Sequence, residues 1–224
     1  MACSLICIGM LIWGVERLNN PKTFPIRHIK VIVQDHHIDG IVLQQTIQTH
    51  LQGGFFSLQA QPLKQALLAL PWVAHISLRK IWPDQLVIHV EAQHPIARWG
   101  KDWLMTGEGE LFRPTLNTIP TGLPMLVGPE GSAKELLYFY QEFTNYLASM
   151  HLTITSLELN NRHAWRIVLD QRMTLLLGRD QVVQRLQRFL GLYAKIIPGH
   201  EEQAAQVDLR YPNGLSILWK EKPK

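Results

Sequence analysis

Cysteine is almost missing from this chain of 224 residues: the two present, Cys3 and Cys7, lie in its first seven positions, so the body has no thiol and no disulfide framework is possible. Cysteine usage therefore says nothing about the compartment. Missing too are the signatures that enzymatic chemistry needs. There is no nucleophile elbow, no glycine loop followed by the lysine of a phosphate site, and no pair of histidines flanking a glutamate on a helix. Gly128-Pro-Glu-Gly-Ser132 is glycine-rich, but it lacks the lysine and is expected to be a loop leading into a helix. Ten histidines invite a metal, with His36-His37 and His89 with His94 the closest sets. No cysteine or ordered carboxylate accompanies either set, and surface or loop histidine is the expectation. Net charge is only +4, with a pI near 9.1, and the basic residues are scattered rather than gathered into a phosphate-binding stripe. No catalytic residue, metal, cofactor, small-molecule substrate or nucleic acid is expected.

What is present is a foldable body behind an apolar start. Hydrophobic residues make up 46% and charged residues 18% of the chain, a globular balance that argues against a disordered tail. Met1 to Val15 carries no charge and is dominated by Leu5, Ile6, Ile8, Met10, Leu11, Ile12 and Trp13. A membrane span takes about 20 apolar residues. Residues 1–18 are accordingly expected to be a transmembrane anchor truncated at its start, with a buried core helix as the competing assignment. The positive-inside rule gives no orientation, since no lysine or arginine precedes the run.

Periodicity then predicts an α+β body. Ile26 to Val33 alternates as a strand. Leu43, Ile47 and Leu51 recur at helical spacing, with Asp39 as cap and Gly53-Gly54 as the stop. Leu63, Leu67 and Leu70 define a second helix between Pro62 and Pro71. Strands Trp72–Ile81 and Gln85–Glu91 flank the turn Trp82-Pro83-Asp84. This is a β-α-α-β-β unit, with two helices on one face of a three-stranded sheet.

Beyond it, strands are expected near Ala97–Trp99, Trp103–Thr106 and Leu111-Phe112, then a loop-rich stretch from Pro114 to Gly131. A helix follows with Ser132 and Glu135 at capping-box spacing. Further strands are expected at Ile154–Leu159, Trp165–Leu169 and Met173–Leu177. A helix capped by Asp180 runs to Pro198, and strands Val207–Tyr211 and Leu215–Trp219 flank Pro212-Asn213-Gly214. Trp72, Trp99 and Trp165 are expected in cores.

Read together, Phe24-Pro-Ile26, Gly53-Gly-Phe-Phe56, Leu70-Pro-Trp-Val73, Trp82-Pro-Asp84 and Pro95-Ile-Ala-Arg-Trp99 resemble the FtsQ/DivIB family of bacterial cell-division proteins. So do Leu123-Pro124, Gly128-Pro-Glu-Gly-Ser-Ala133, Trp165 after Arg162, Leu177-Gly-Arg179 and Val207-Asp-Leu-Arg-Tyr-Pro-Asn-Gly214. The resemblance runs from about Phe24 to Trp219. It implies a non-enzymatic scaffold of the inner membrane, single-pass and type II, at the division septum. A POTRA domain at 24–95 and a mainly antiparallel β domain with two helices at 96–224 would both be periplasmic, and FtsB and FtsL the partners. A membrane-anchored periplasmic hydrolase is the alternative.

The last strand is expected to be the partner-binding edge, because no later element is available to cover it. Leu215, Ile217 and Trp219 alternate on one face, while Leu218 places an apolar side chain on the other, where one-sided burial predicts a polar one. The family resemblance points to the same stretch through Tyr211, Asn213, Gly214 and Trp219, and adds Arg162 as a charged contact.

Overall fold

In the computed structural model the described residues are 10, 13, 14, 16–18, 20–196, 204–212 and 214–220. Most of the apolar run expected to be an anchor lies outside them. Among those described, no helix is long and apolar enough to cross a membrane. The chain divides into two compact units between Gln93 and His94.

The first unit has the expected order: β1 (His28–Val33), α1 (Gly40–His50), α2 (Ala60–Leu68), β2 (Val73–Ile81) and β3 (Gln85–Ala92). β3 is central, parallel to β1 and antiparallel to β2. Strand alternation sends Leu86, Ile88 and Val90 to the helical side, where they bury against Leu43 and Ile47 of α1 and Leu63 and Leu67 of α2. Each such side chain contributes about 1.5–3 kcal/mol on burial, which holds the two helices to one sheet face. Asp39 caps α1 as its position suggests, its Oδ1 accepting from the backbone N–H of Ile41 at 2.8 Å and of Val42 at 3.4 Å. The expected glycine stop is displaced. α1 ends at His50 with Leu51 extended, and Gly53 (φ +99°) turns the chain later, where a Cβ would overlap the Ser57 carbonyl.

The second unit comprises β4 (Pro95–Trp99), β5 (Trp103–Thr106), β6 (Leu111–Phe112), β7 (Met125–Val127), α3 (Ala133–Ala148), β8 (Ile154–Leu159), β9 (Trp165–Leu169), β10 (Met173–Gly178), α4 (Val182–Ile196), β11 (Ala204–Asp208) and β12 (Ser216–Trp219). The strands form one sheet in the order β12-β11-β10-β9-β8-β7-β4-β5-β6. Most pairs are antiparallel. Three pairs are parallel: β7–β8 and β10–β11, whose connections contain α3 and α4, and β4–β7, whose connection runs through β5 and β6, since parallel neighbours need a long crossover. Phe143 and Leu147 of α3 and Leu186 and Phe189 of α4 are buried with Leu157, Ile167, Leu175 and Val207 of the sheet. Trp72 is buried in the first unit as expected, Trp165 is buried in the core of the second, and Trp99 is half-buried against that second core.

Two caps differ from expectation. Ser132 precedes α3, but its hydroxyl donates back to the Pro129 carbonyl at 2.7 Å and makes no cap hydrogen bond, so the capping box is not formed. α4 begins at Val182, and the Arg185 N–H bonds the carbonyl of Gln181, which sits at φ +54°. Asp180 lies one residue too early to cap and instead accepts from Arg179 Nε at 3.4 Å.

Candidate partner-binding edge

β12 lies at one end of the nine-stranded order. It pairs antiparallel with β11 on its inner side, and among the described residues no strand lies on its outer side. A strand so placed offers backbone N–H and C=O groups to an added strand. The side chains divide by face. Leu215 and Ile217 are half-buried and pack on the core of the second unit, whereas Leu218 is 61% exposed. Trp219, expected on the covered face with Leu215 and Ile217, is 42% exposed, because it lies at the end of the strand. Tyr211, in the loop before β12, is 55% exposed. Three exposed apolar or aromatic groups thus come from one edge strand and the loop that delivers it.

That loop is held by arginines which sequence reasoning did not single out. β11 ends at Asp208, not Tyr211, because Arg210 folds back on the strand end. Its Nε lies 2.9 Å and 3.1 Å from the two Asp208 carboxylate oxygens, its Nη2 lies 2.6 Å from Oδ2, and its backbone N–H donates to Oδ1 at 3.0 Å. The Arg210 side-chain hydrogen bond is the main reason that the Asp208 carboxyl is held below its ordinary value, against an opposing effect of burial. The same fork raises the Arg210 guanidinium. From α4, Arg188 donates through Nη1 to the Pro212 carbonyl and through Nη2 to the Leu209 carbonyl at 3.3 Å. Arg185 donates to the Leu177 carbonyl.

These contacts explain why glycine stands in Leu177-Gly-Arg179. Gly178 has φ +74°, and a Cβ there would sit 2.6 Å from Arg185 Nη1 and 3.1 Å from Arg210 Cγ. The position needs both left-handed backbone and an absent side chain. Gly214 is different: a Cβ there would meet open space, so nothing local demands glycine. Asn213 lies outside the described residues.

Arg162 is exposed in the β8–β9 turn, where its N–H donates to Asn160 Oδ1 at 2.9 Å. The registers of β9 to β12 put this turn at the same end of the sheet as Gly178 and the 209–215 loop. β9 is three strands from β12, about 15 Å at the usual spacing. The sheet therefore does not bring Arg162 to the edge strand, but leaves it on the same rim.

Two clefts in the first unit bear on the enzymatic alternative. A groove of about 440 Å³ between β1 and α1 is lined by Ile29, Val31, Val33, Leu43, Ile47 and the amides of Gln44 and Gln48, with Gly40. The other, about 320 Å³, holds Lys64 and His75 beside Ser77 and no carboxylate. Among the described residues no three histidine, cysteine or acidic side chains cluster for a metal. His37 stacks on Trp72 with ring centroids 4.4 Å apart and places Nδ1 2.6 Å from Asp35 Oδ1.

A β-α-α-β-β unit followed by a domain whose open sheet ends in the edge strands β12 and β6 defines a two-domain α+β protein of the POTRA-containing class. The family model described as the FtsQ-type POTRA domain matches residues 24–92, and the one described as the C-terminal region of cell division protein FtsQ/DivIB matches 97–210. The chain is 44% identical to a "Cell division protein FtsQ" of Coxiella burnetii over 97% of this chain and 89% of that one. Proteins of the same name from Allochromatium vinosum and Burkholderia pseudomallei are 37% and 32% identical, over 96% and 92% of this chain and 86% and 82% of theirs. The chain belongs to the FtsQ/DivIB family of cell-division proteins, which gives it a role in the division machinery. The second family model stops at Arg210, so Tyr211 and β12 lie beyond it.

Proposed function

We propose that this chain is a non-enzymatic scaffold of the divisome, held in the inner membrane by residues 1–18 as a type II protein with its body in the periplasm, and that it binds FtsB and FtsL through β12. The observation that carries this reading is the open outer side of β12 combined with the exposure of Leu218 and Trp219 on it. An incoming strand would gain main-chain hydrogen bonds along Ser216–Trp219, with Leu218, Trp219 and Tyr211 giving side-chain specificity. Leu215 and Ile217 fix the strand to the core, and Arg162 supplies a charge on the same rim. Aromatic anchors carry most of the energy in such interfaces, while a rim ion pair contributes less than about 1 kcal/mol.

The test is capture of FtsB by Leu218→Asp and Trp219→Asp variants of the full chain. Both side chains are exposed enough to be replaced without opening the core, so melting should stay unchanged while capture is lost. Retained capture in both variants sinks the edge assignment. Arg162→Ala should weaken capture by less than about fivefold.

A further inference from the structure

We infer that the β2–β3 turn end of the first unit is a membrane-docking surface for anionic lipid headgroups. The inference rests on the anchored reading of the N-terminal run. The sheet face turned away from the helices can be read in rows from the cross-strand register. At the turn end the first row is His28, Gln85 and Ile81, and the second is Lys30, Val87 and Arg79. The third is Ile32, His89 and Ser77, and Glu91 lies beyond, opposite His75. Lys30 and Arg79 thus flank Val87 close to the turn, while the acid of this face is at its far end. Arg27 and Lys22 add exposed cations just before β1. Asp84, half-buried in the turn, is the opposing charge nearest to them.

Apolar groups collect at this same end. Trp82, at the turn, is 71% exposed, and Ile81 beside it is exposed as well. Phe56 is exposed with its ring edge-on to Phe24, centroids 5.2 Å apart, and the Phe55 N–H donates to the Phe24 carbonyl at 2.7 Å. Lys80 donates to the Phe55 carbonyl at 2.8 Å, which ties this aromatic group to the end of β2. An indole with neighbouring cations is the pairing found at membrane–water interfaces, where the ring sits among headgroups and the cations meet lipid phosphates.

Chain continuity selects the membrane over an acidic protein as the occupant. The N–H groups of Arg27 and His28 donate to the Asp84 carbonyl at 2.9 Å and 3.3 Å, so the polypeptide arriving from the apolar run enters the domain at the Trp82 turn. Arg17, just past that run, lies 5.1 Å over the Trp13 ring. The end of the domain that the anchor would hold nearest the bilayer is therefore the end bearing Trp82, Phe56 and the cations. The docked face would fix the orientation of the first unit on its tether.

The experiment uses the full chain in nanodiscs of phosphatidylcholine with and without phosphatidylglycerol, reading quenching of tryptophan emission by lipids brominated near the headgroup. Trp82→Phe and Trp13→Phe isolate the two components. The Trp82 component should be quenched in anionic discs and much less in neutral ones. Each cation near an anionic surface contributes about fivefold, so Lys30→Gln with Arg79→Gln should weaken docking by about 25-fold and relieve the quenching. Both side chains are exposed, and unchanged circular dichroism checks the fold. An unquenched Trp82 with a quenched Trp13 overturns the docking surface while leaving the anchor intact, and would give the cationic end to an acidic protein instead. Failure of both components overturns the anchored reading together with the inference.

Discussion

Arg188→Met should loosen the β12 edge without unfolding the domain around it. Arg188 reaches from α4 to two carbonyls, Pro212 and Leu209, that bracket the loop feeding β12. A charge-assisted hydrogen bond contributes about 1.5–3 kcal/mol when shielded, and less in solvent. The Leu209 contact is partly buried and the Pro212 contact exposed. Arg188 Nε is buried without a protein partner, and its removal returns about 1 kcal/mol. The balance is a local loss of about 2 kcal/mol, or about a thirtyfold rise in the opening of the loop and β12. Hydrogen exchange read by residue measures this directly. Amides of 207–219 should exchange about thirtyfold faster, while those of α3 and β8 keep their protection. Arg188→Lys, which can still reach one carbonyl, should show about half the effect in free energy. Unchanged exchange in 207–219 would refute the pinning argument, and a uniform rise across the domain would show that Arg188 supports the fold as a whole.

Gly178→Ala should lower stability by about 2 kcal/mol, because alanine is strained at φ +74° and its Cβ would crowd Arg185 and Arg210; a neutral effect on melting would contradict this. Asp208→Asn should narrow stability only where the carboxylate is ionised. The folded pKa of Asp208 is lowered, so its contribution is present above the unfolded value of about 3.9 and is lost as pH falls through the folded one. The gap between wild type and variant should be flat from about pH 5 to 8 and close below about pH 4, and a gap that widens on acidification would be contrary to the Arg210 fork.

The last strand was legible in the sequence from the alternation of Leu215 to Trp219, and the sheet order places it at an edge. Most helix and strand positions in both units were legible for the same local reason, since periods of 3.6 and 2 are written in neighbouring residues; the three-residue β7, inside the stretch expected to be loop, and the true span of β11 were not. What escaped notice depends on contacts across the sheet. Arg188 meets carbonyls 21 and 24 residues later, and no pattern within α4 marks it among its other polar residues. Ser132 and Glu135 have capping-box spacing, yet the Pro129 carbonyl, offered by the preceding turn, wins the hydroxyl. Asp180 has the right residue type for a cap, but Gln181 at φ +54° moves the helix start past it. Arg162 was linked to the edge by family resemblance, and only the register shows it to be three strands away on the shared rim.

An apolar edge left open for a partner is also open to a second copy of itself, and β12 carries features that oppose this. It is four residues long, so two copies pairing edge to edge would gain few main-chain hydrogen bonds. Its pairing with β11 shifts register between Ala204 and Gln206, and such irregularities twist an edge away from flat self-association. The apolar surface it does present is divided between Leu218 and Trp219 on the strand and Tyr211 in the loop before it. A partner able to continue beyond its own strand could cover the loop, held in place by Arg188 and Arg210, and reach the rim toward Arg162. On the proposed reading, the short edge favours a ligand with more than a strand to offer, and specificity would come from the loop geometry that the two arginines maintain. Lengthening β12 by replacing Gly214 with a β-branched residue such as valine, where a Cβ meets open space, should therefore raise self-association in analytical ultracentrifugation while leaving melting unchanged. A Gly214→Val chain that stays monomeric at the concentration where FtsB capture is measured would show that strand length is not what protects the edge.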